Sequence, residues 1–377
     1  MKNKRSSSPV APRSTGFGAE SVTKPAHFFQ KQLAGEEPLT WETAYRLYAL
    51  SIEIMALRPW KFLADQDIFL LRDPQSGEMC HCSVMGALGE VFSLHAYVGD
   101  ESYRTFRRLA SGAKMTPEEF LAAQKGVSVE FVRLSEVTPP DRELLRCFNH
   151  PLQRGFLAPI FRALRPGYHG WHVTEPEGTL LAECMQALLA FCKVFLANPE
   201  GSYWDEGDVY PLLVPAGDAG PQRTYEVKPE RAPEPLPAVP QPAPLDEIRV
   251  QTVLRKDYTL QGSLEADCFL AMGMVGGKNE RKACIRLGMV ADAASGFLFR
   301  PEVAAGSQPS GDILVNGLLN AIDDAHRLPM EVHVTKDEFK TLLQPFSQQL
   351  GIPVKVVKSL PALKAAKAGV LKMMGMG

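Results

Sequence analysis

From residue 40 onward the apolar residues fall into helical and alternating patterns. Trp41, Tyr45, Tyr48, Ile52 and Met55 recur at helical spacing, with Thr40 placed to cap the helix and Pro59 to end it. Residues 67–72 and 79–84 read as two strands joined by the turn-rich Asp73-Pro74-Gln75-Ser76-Gly77. A helix is expected over residues 88–97. Three further helix starts carry capping chemistry: Thr116-Pro117-Glu118-Glu119, Thr138-Pro139-Pro140-Asp141 and Thr174-Glu175-Pro176-Glu177. The last opens the longest helix, with Leu181, Cys184, Leu188, Phe191 and Phe195 on a broad apolar face. Residues 127–134 and 208–214 read as strands.

Six prolines between Pro233 and Pro244 predict a semi-rigid extended spacer. Beyond it the pattern changes. Residues 267–275, 282–290 and 296–301 read as an antiparallel meander, with Asp292-Ala293-Ala294-Ser295-Gly296 as a hairpin turn. Ser310 is placed to cap a helix whose Leu314, Leu318, Ile322 and Ala325 share a face. A strand over 330–334 follows. Thr335 and Glu338 form a capping box for the next helix, which Gly351 ends before a strand over 352–357. Strand, helix and strand over this length imply a right-handed crossover with parallel pairing. The expected organisation is a disordered tail (1–35), an α+β domain (36–215), a proline-rich linker (216–245) and an α/β domain with a mixed sheet (246–377).

Composition narrows the class. The chain has 377 residues, 45% hydrophobic and 22% charged, and a net charge of −2, so it is not a polyelectrolyte tuned to nucleic acid or anionic lipid. Seven dispersed cysteines do not read as a disulfide framework and suit a reducing cytoplasm. Lys2, Lys4 and Arg5 are not followed by the apolar stretch of a signal peptide. No run of the sequence approaches 18 apolar residues, so no membrane span is expected.

Several motifs resemble an uncharacterised bacterial family that couples two domains of unknown function. In the first half they are the segment from Trp41 to Trp60, Asp67-Ile-Phe with Asp73-Pro74, Cys82-Ser-Val-Met-Gly-Ala-Leu-Gly-Glu90 and Arg165-Pro-Gly-Tyr-His-Gly-Trp171. In the second they are Glu265-Ala-Asp-Cys-Phe, Val290-Ala-Asp-Ala-Ala-Ser-Gly296 and the segment from Leu350 to Leu363. The resemblance carries no activity. Separately, three meandering strands followed by alternating helices and strands is the order of ribonuclease-H-like folds. Val334-Thr-Lys-Asp-Glu-Phe339 after the fourth strand resembles the integrase catalytic core.

That fold's usual chemistry, two-metal phosphodiester cleavage, needs carboxylates converging on both ions. Asp267 is the candidate for the first strand, against a bland alternative as an edge residue at the strand's start. The fourth strand ends in Thr335 and Lys336, and Asp337 and Glu338 suit a helix start. No Asp or Glu occurs from Phe339 to Gly377, a segment that carries Lys340, Lys355, Lys358, Lys364, Lys367 and Lys372. No catalytic residue is therefore assigned.

Other groups in the chain carry weaker chemical signals. Cys80-His81-Cys82 offers soft metal ligands, but alternation puts Cys80 and Cys82 on one face and His81 on the other, and no partner Cys/His pair stands at finger spacing. Gly86-Ala-Leu-Gly89 has the form of a backbone-clamping loop, but Glu90 would repel phosphate. Gly273-Met-Val-Gly-Gly-Lys278 lacks the residues of a phosphate loop. Tyr168, His169, Trp171 and His172 form a polar-aromatic patch. Lys364, Lys367 and Lys372 are the binding candidates, for nucleic acid or an acidic partner, against a solvated helix face. The sequence thus points to a non-catalytic binding or adaptor protein with no cofactor. The alternatives are a nucleic-acid-binding protein or an enzyme with a site between the domains.

Overall fold

The computed structural model describes residues 35–112, 115–197, 209–216, 223–231 and 240–373. The first domain opens with helix α1 (Trp41–Leu57), where the Thr40 hydroxyl accepts from the Thr43 amide and Arg58 ends the helix in a left-handed conformation. Seven strands follow: β1 (Phe69–Arg72), β2 (Met79–Met85), β3 (Ser93–Val98), β4 (Gly126–Arg133), β5 (Leu157–Leu164), β6 (Val209–Ala216) and β7 (Thr224–Arg231). They form one sheet in the order β5-β4-β3-β2-β1-β6-β7, parallel only between β1 and β6.

One face of that sheet packs on α1 and on the helix Glu175–Ala197, burying Phe69, Leu71, Cys80, Cys82, Leu94 and Ala96 against Leu47, Ile54, Cys184 and Leu188. The opposite face meets helix α2 (Gly99–Ala110) through Leu70, Met79, Tyr97, Tyr103 and Phe106. Helices α3 (Pro117–Ala123) and α4 (Pro139–Cys147) begin at Thr116 and Thr138, as the capping chemistry predicts. At Thr116 both halves of the capping box are made, so Thr116→Ala should cost about 1 kcal/mol in chemical denaturation. A variant that unfolds at the same denaturant concentration would contradict that assignment.

The long helix α5 (Glu175–Ala197) corrects the membrane expectation in part. It is long and apolar enough to cross a membrane, but most of its apolar stretch is packed inside the protein. It is the core helix of the first domain.

The second domain begins with α6 (Glu247–Leu254) and carries a five-stranded sheet. Its strands are β9 (Ser263–Val275), β10 (Ala283–Asp292), β11 (Glu302–Ala305), β13 (Glu331–Val334) and β14 (Val354–Val356), in the order β11-β10-β9-β13-β14. The first three pair antiparallel; β13 runs parallel to β9, and β14 parallel to β13. A short parallel pair, β8 (Thr259–Leu260) with β12 (Arg327–Leu328), stands apart. Helix α7 (Ser310–Ala325) packs on one sheet face. After α8 (Asp337–Leu342) and α9 (Gln344–Leu350), α10 (Pro361–Met373) packs on the other through Leu360 and Leu363 against Met289 and Ala291. Both domains thus mix helices with mixed sheets.

Several expectations need correction. Residues 88–97 are not a helix: Gly89 turns at φ +79° and Ser93–Val98 is a strand. Its polar residues Ser93, His95 and Tyr97 alternate with Leu94, Ala96 and Val98 as a strand's do, and all six residues are buried, so the polar face is inside the protein rather than in solvent. The 296–301 strand is instead Glu302–Ala305. Ser310 does not cap α7; Pro309 stands at the cap, and the Ser310 hydroxyl accepts from Arg286. The Thr335–Glu338 capping box is absent, since Lys336 holds the cap position without a side-chain bond. The first domain does not end near 215, because β7 lies in the stretch read as linker and completes the first sheet. The expected tail and the prolines from 233 to 237 lie outside the described residues.

The domains meet along backbone. Tyr168 and Ala283 form an antiparallel bridge, with the His169 amide donating to Lys282 O at 2.9 Å and the Cys284 amide to Gly167 O at 2.8 Å. Beside it, the Arg281 side chain, only 4% exposed, meets Glu36 at 3.2 Å and Glu177 at 3.2 Å. Arg165 binds the same two carboxylates. Burial opposes the charge on Glu177, but Arg281 and Arg165 outweigh it and hold the carboxyl below its ordinary value. The polar-aromatic patch around Tyr168 is therefore a domain junction.

Candidate functional site at the domain junction

Asp267 does not sit at a strand's start. Strand β9 begins four residues earlier, at Ser263, and is the central strand of its sheet. Alternation sends Leu264, Ala266 and Cys268 into the core beneath α7. Glu265, Asp267 and Phe269 face α10, and both carboxylates are engaged there. Glu265, 3% exposed, accepts from the Leu363 amide at 2.9 Å, in the first turn of α10. Asp267 Oδ2 lies 3.9 Å from Lys367 Nζ, and the same ammonium sits 3.6 Å from the Phe269 ring centroid. Strand β13 runs alongside with His333 opposite Glu265, so the chain leaves β13 near the level of Asp267, in Thr335 and Lys336.

Next to this pair lies a cleft of about 600 Å³ between the domains. The second domain contributes Cys268, Phe269, Leu270, Arg286, Ser310, Lys336, Glu338 and Lys367; the first contributes Thr116, Glu119 and Ala122 from α3. Arg286 donates from Nε and Nη2 to Gly306 O, at 3.2 and 2.7 Å, and from Nη1 to Ser310 Oγ at 2.7 Å. All these partners are neutral. Lys336 Nζ stands 4.9 Å from the Phe339 ring centroid. Among the described residues, neither Arg286 nor Lys336 has a carboxylate within ion-pair distance. Burial pushes the Cys268 thiol up, with Arg286 and Ser310 opposing.

The remaining candidates fall elsewhere. Lys364 is exposed, while Lys367 turns into the cleft; the Lys372 side chain is outside the described ones. Cys80 and Cys82 are fully buried with Cys184 against α5, and His81 lies on the other face, stacked on Tyr103 at 3.8 Å. Contact with Cys184 and burial push the Cys80 thiol up. Among the described residues no group of three or more His, Cys, Asp or Glu side chains is arranged to hold a metal ion. Gly86 and Gly89 belong to a loop between two strands, and Asp292 anchors its turn through Ser295 and pairs with Arg327 at 2.5 Å.

One polar constellation was missed. Cross-strand register aligns Ser83, His95, Ser128 and Arg162 in a row on the α2 side of the first sheet. His95 is buried and meets Gln124 Nε2 at 3.2 Å; Arg162 forks onto Asp141, at 2.9 and 2.5 Å. Burial opposes the charge of Asp141, but Arg162 outweighs it and lowers the carboxyl's pKa. His172 stands 3.9 Å from Asp141. Burial pulls the pKa of His81, His95 and His172 each down to about 4, despite Asp141 in the last case. The alternation of Ser93, His95 and Tyr97, and of Ser128 with Glu130, is the signal that marks this face in the sequence. The row's hydrogen bonds lead to other protein groups, as expected of a structural network.

Residues 41–210 match the family model described as a domain of unknown function (DUF7309), and residues 250–371 match that of a second domain of unknown function (DUF6930). No curated protein matches the chain.

Proposed function

We propose that this chain, which belongs to a two-domain family of unknown function, is a non-catalytic binding protein whose ligand enters the cleft between the domains. On this reading the second domain is a degenerate ribonuclease-H-like fold. Three antiparallel strands, a fourth and fifth strand parallel to the first, a helix on one face and a final helix on the other support it. The seven free cysteines suit a cytoplasmic setting.

The observation that carries the proposal is the Lys367 ammonium, 3.9 Å from Asp267 on the central strand. A two-ion site needs several carboxylates around that position. Here the final helix supplies a cation instead, and the nearby Glu265 is committed to the helix backbone. A divalent ion beside Asp267 would meet the lysine's like charge in a partly buried place, where repulsion is screened less than in water. Purified protein is therefore expected to leave single-stranded DNA, duplex DNA and RNA–DNA hybrid intact with magnesium or manganese. Metal-dependent cleavage that disappears in Asp267→Ala would overturn the proposal.

A further inference from the structure

We infer that the cleft takes a phosphate-bearing small molecule of nucleotide size, held by Arg286 and Lys336. The inference rests on the cleft being the binding site and narrows what it binds. Of the three cations lining it, Lys367 already has Asp267. Glu119 is held by its capping box, accepting from the Thr116 amide at 3.0 Å, and Glu338 stands in the first turn of α8. Neither carboxylate is paired with Arg286 or Lys336.

Arg286 is the more telling of the two. Its guanidinium is partly buried, and a charge withdrawn from water without a counter-ion is unfavourable. Gly306 O and Ser310 Oγ orient the group but leave its charge uncompensated and further N–H donors to spare. A phosphate oxygen matches those donors and supplies the missing charge. Phe269, Leu270 and Ala122 give the same cleft an apolar wall for the body of the ligand. Its volume of about 600 Å³ lies within the range of small-molecule pockets. Helix α3 closes one side from the first domain, which favours a compact ligand over a nucleic-acid strand lying along the sheet.

The test is isothermal titration of the full chain at low salt without divalent ions, using ADP, inorganic pyrophosphate, adenosine and a short single-stranded oligonucleotide. ADP and pyrophosphate are expected to bind one to one. Lys336→Met and Arg286→Lys should each weaken ADP binding at least tenfold, and Lys364→Met should leave it unchanged. Lys336 and Lys364 are exposed, so these two variants keep the comparison valid even if Arg286→Lys disturbs folding. Failure of both ADP and pyrophosphate to bind, or binding indifferent to Lys336→Met, overturns the inference. So does preferential binding of the oligonucleotide. Adenosine binding as tightly as ADP removes the anion assignment and leaves the cleft as a binding site. Failure of the non-catalytic reading is seen separately, as metal-dependent cleavage.

Discussion

Gly167→Ala is expected to loosen the junction by about 3–4 kcal/mol, from backbone strain of roughly 1–2 kcal/mol and two lost hydrogen bonds of about 1 kcal/mol each. Gly167 has φ +79°, where a side chain is strained, and an added Cβ would fall on the backbone of Gly306 in the other domain. The clash can be relieved only by moving the domains apart, which breaks the bond from the Cys284 amide to Gly167 O and its neighbour from the His169 amide to Lys282 O. Gly306 is itself held in place, its amide donating to Cys284 O at 2.7 Å. Small-angle scattering should show a larger radius of gyration while circular dichroism shows both domains still folded. A variant with the parent's melting temperature and radius would show that the backbone bridge does not hold the domains together.

The second large effect is acid. His81, His95 and His172 have pKa values drawn down to about 4 by burial, from an ordinary 6.5. Neither nitrogen of His81 has a well-aligned hydrogen-bond partner among the described residues, and burial outweighs the support that the Tyr97 backbone gives the protonated ring. Between pH 6.5 and 4 the unfolded chain binds protons that the folded chain refuses, so stability falls as pH falls through that window. Each ring contributes up to about 3 kcal/mol across the whole window, a large share of ordinary stability. Denaturant midpoints should drop steeply between pH 7 and pH 5. His81→Phe, which keeps the stack on Tyr103, should flatten that dependence. The salt-bridged carboxylates of Asp141 and Glu177, held low, add their own loss only at still lower pH. Equal midpoints at pH 7 and pH 5 would contradict the burial of neutral rings.

Much of this fold was legible in the chain because its signals were local. Thr116 and Thr138 mark helix starts through contacts three residues away, and Asp292 marks a turn by bonding Ser295. The misses were elements whose character is set from far away. Strand β3 alternates Ser93, His95 and Tyr97 with Leu94, Ala96 and Val98, but it is short and buried on both faces, and the sheet neighbours that make it a strand, β2 and β4, come from elsewhere in the chain. Strand β7 is mostly exposed and exists because β6 pairs with it along its length. Thr335 and Ser310 look like caps, yet Lys336 and Pro309 stand at those positions.

The site divides in the same way. The shortage of acids after Phe339 was visible by inspection, and Lys367 was among the lysines that replace them. What no local pattern could give was its partner. Asp267 and Lys367 are joined by the fold alone, across five intervening strands and three helices. Arg286 was missed altogether, since an arginine in a strand carries no motif and its significance comes from neutral neighbours near Gly306 and Ser310.

Manganese titration of the full chain, followed by electron paramagnetic resonance, tests the central claim most directly. With Lys367 occupying the charge position beside Asp267, the free-ion signal should grow in proportion to added manganese, with no stoichiometric binding at up to millimolar ion. Loss of that signal up to two equivalents, restored by Asp267→Ala, would place metal on the central strand and contradict the account.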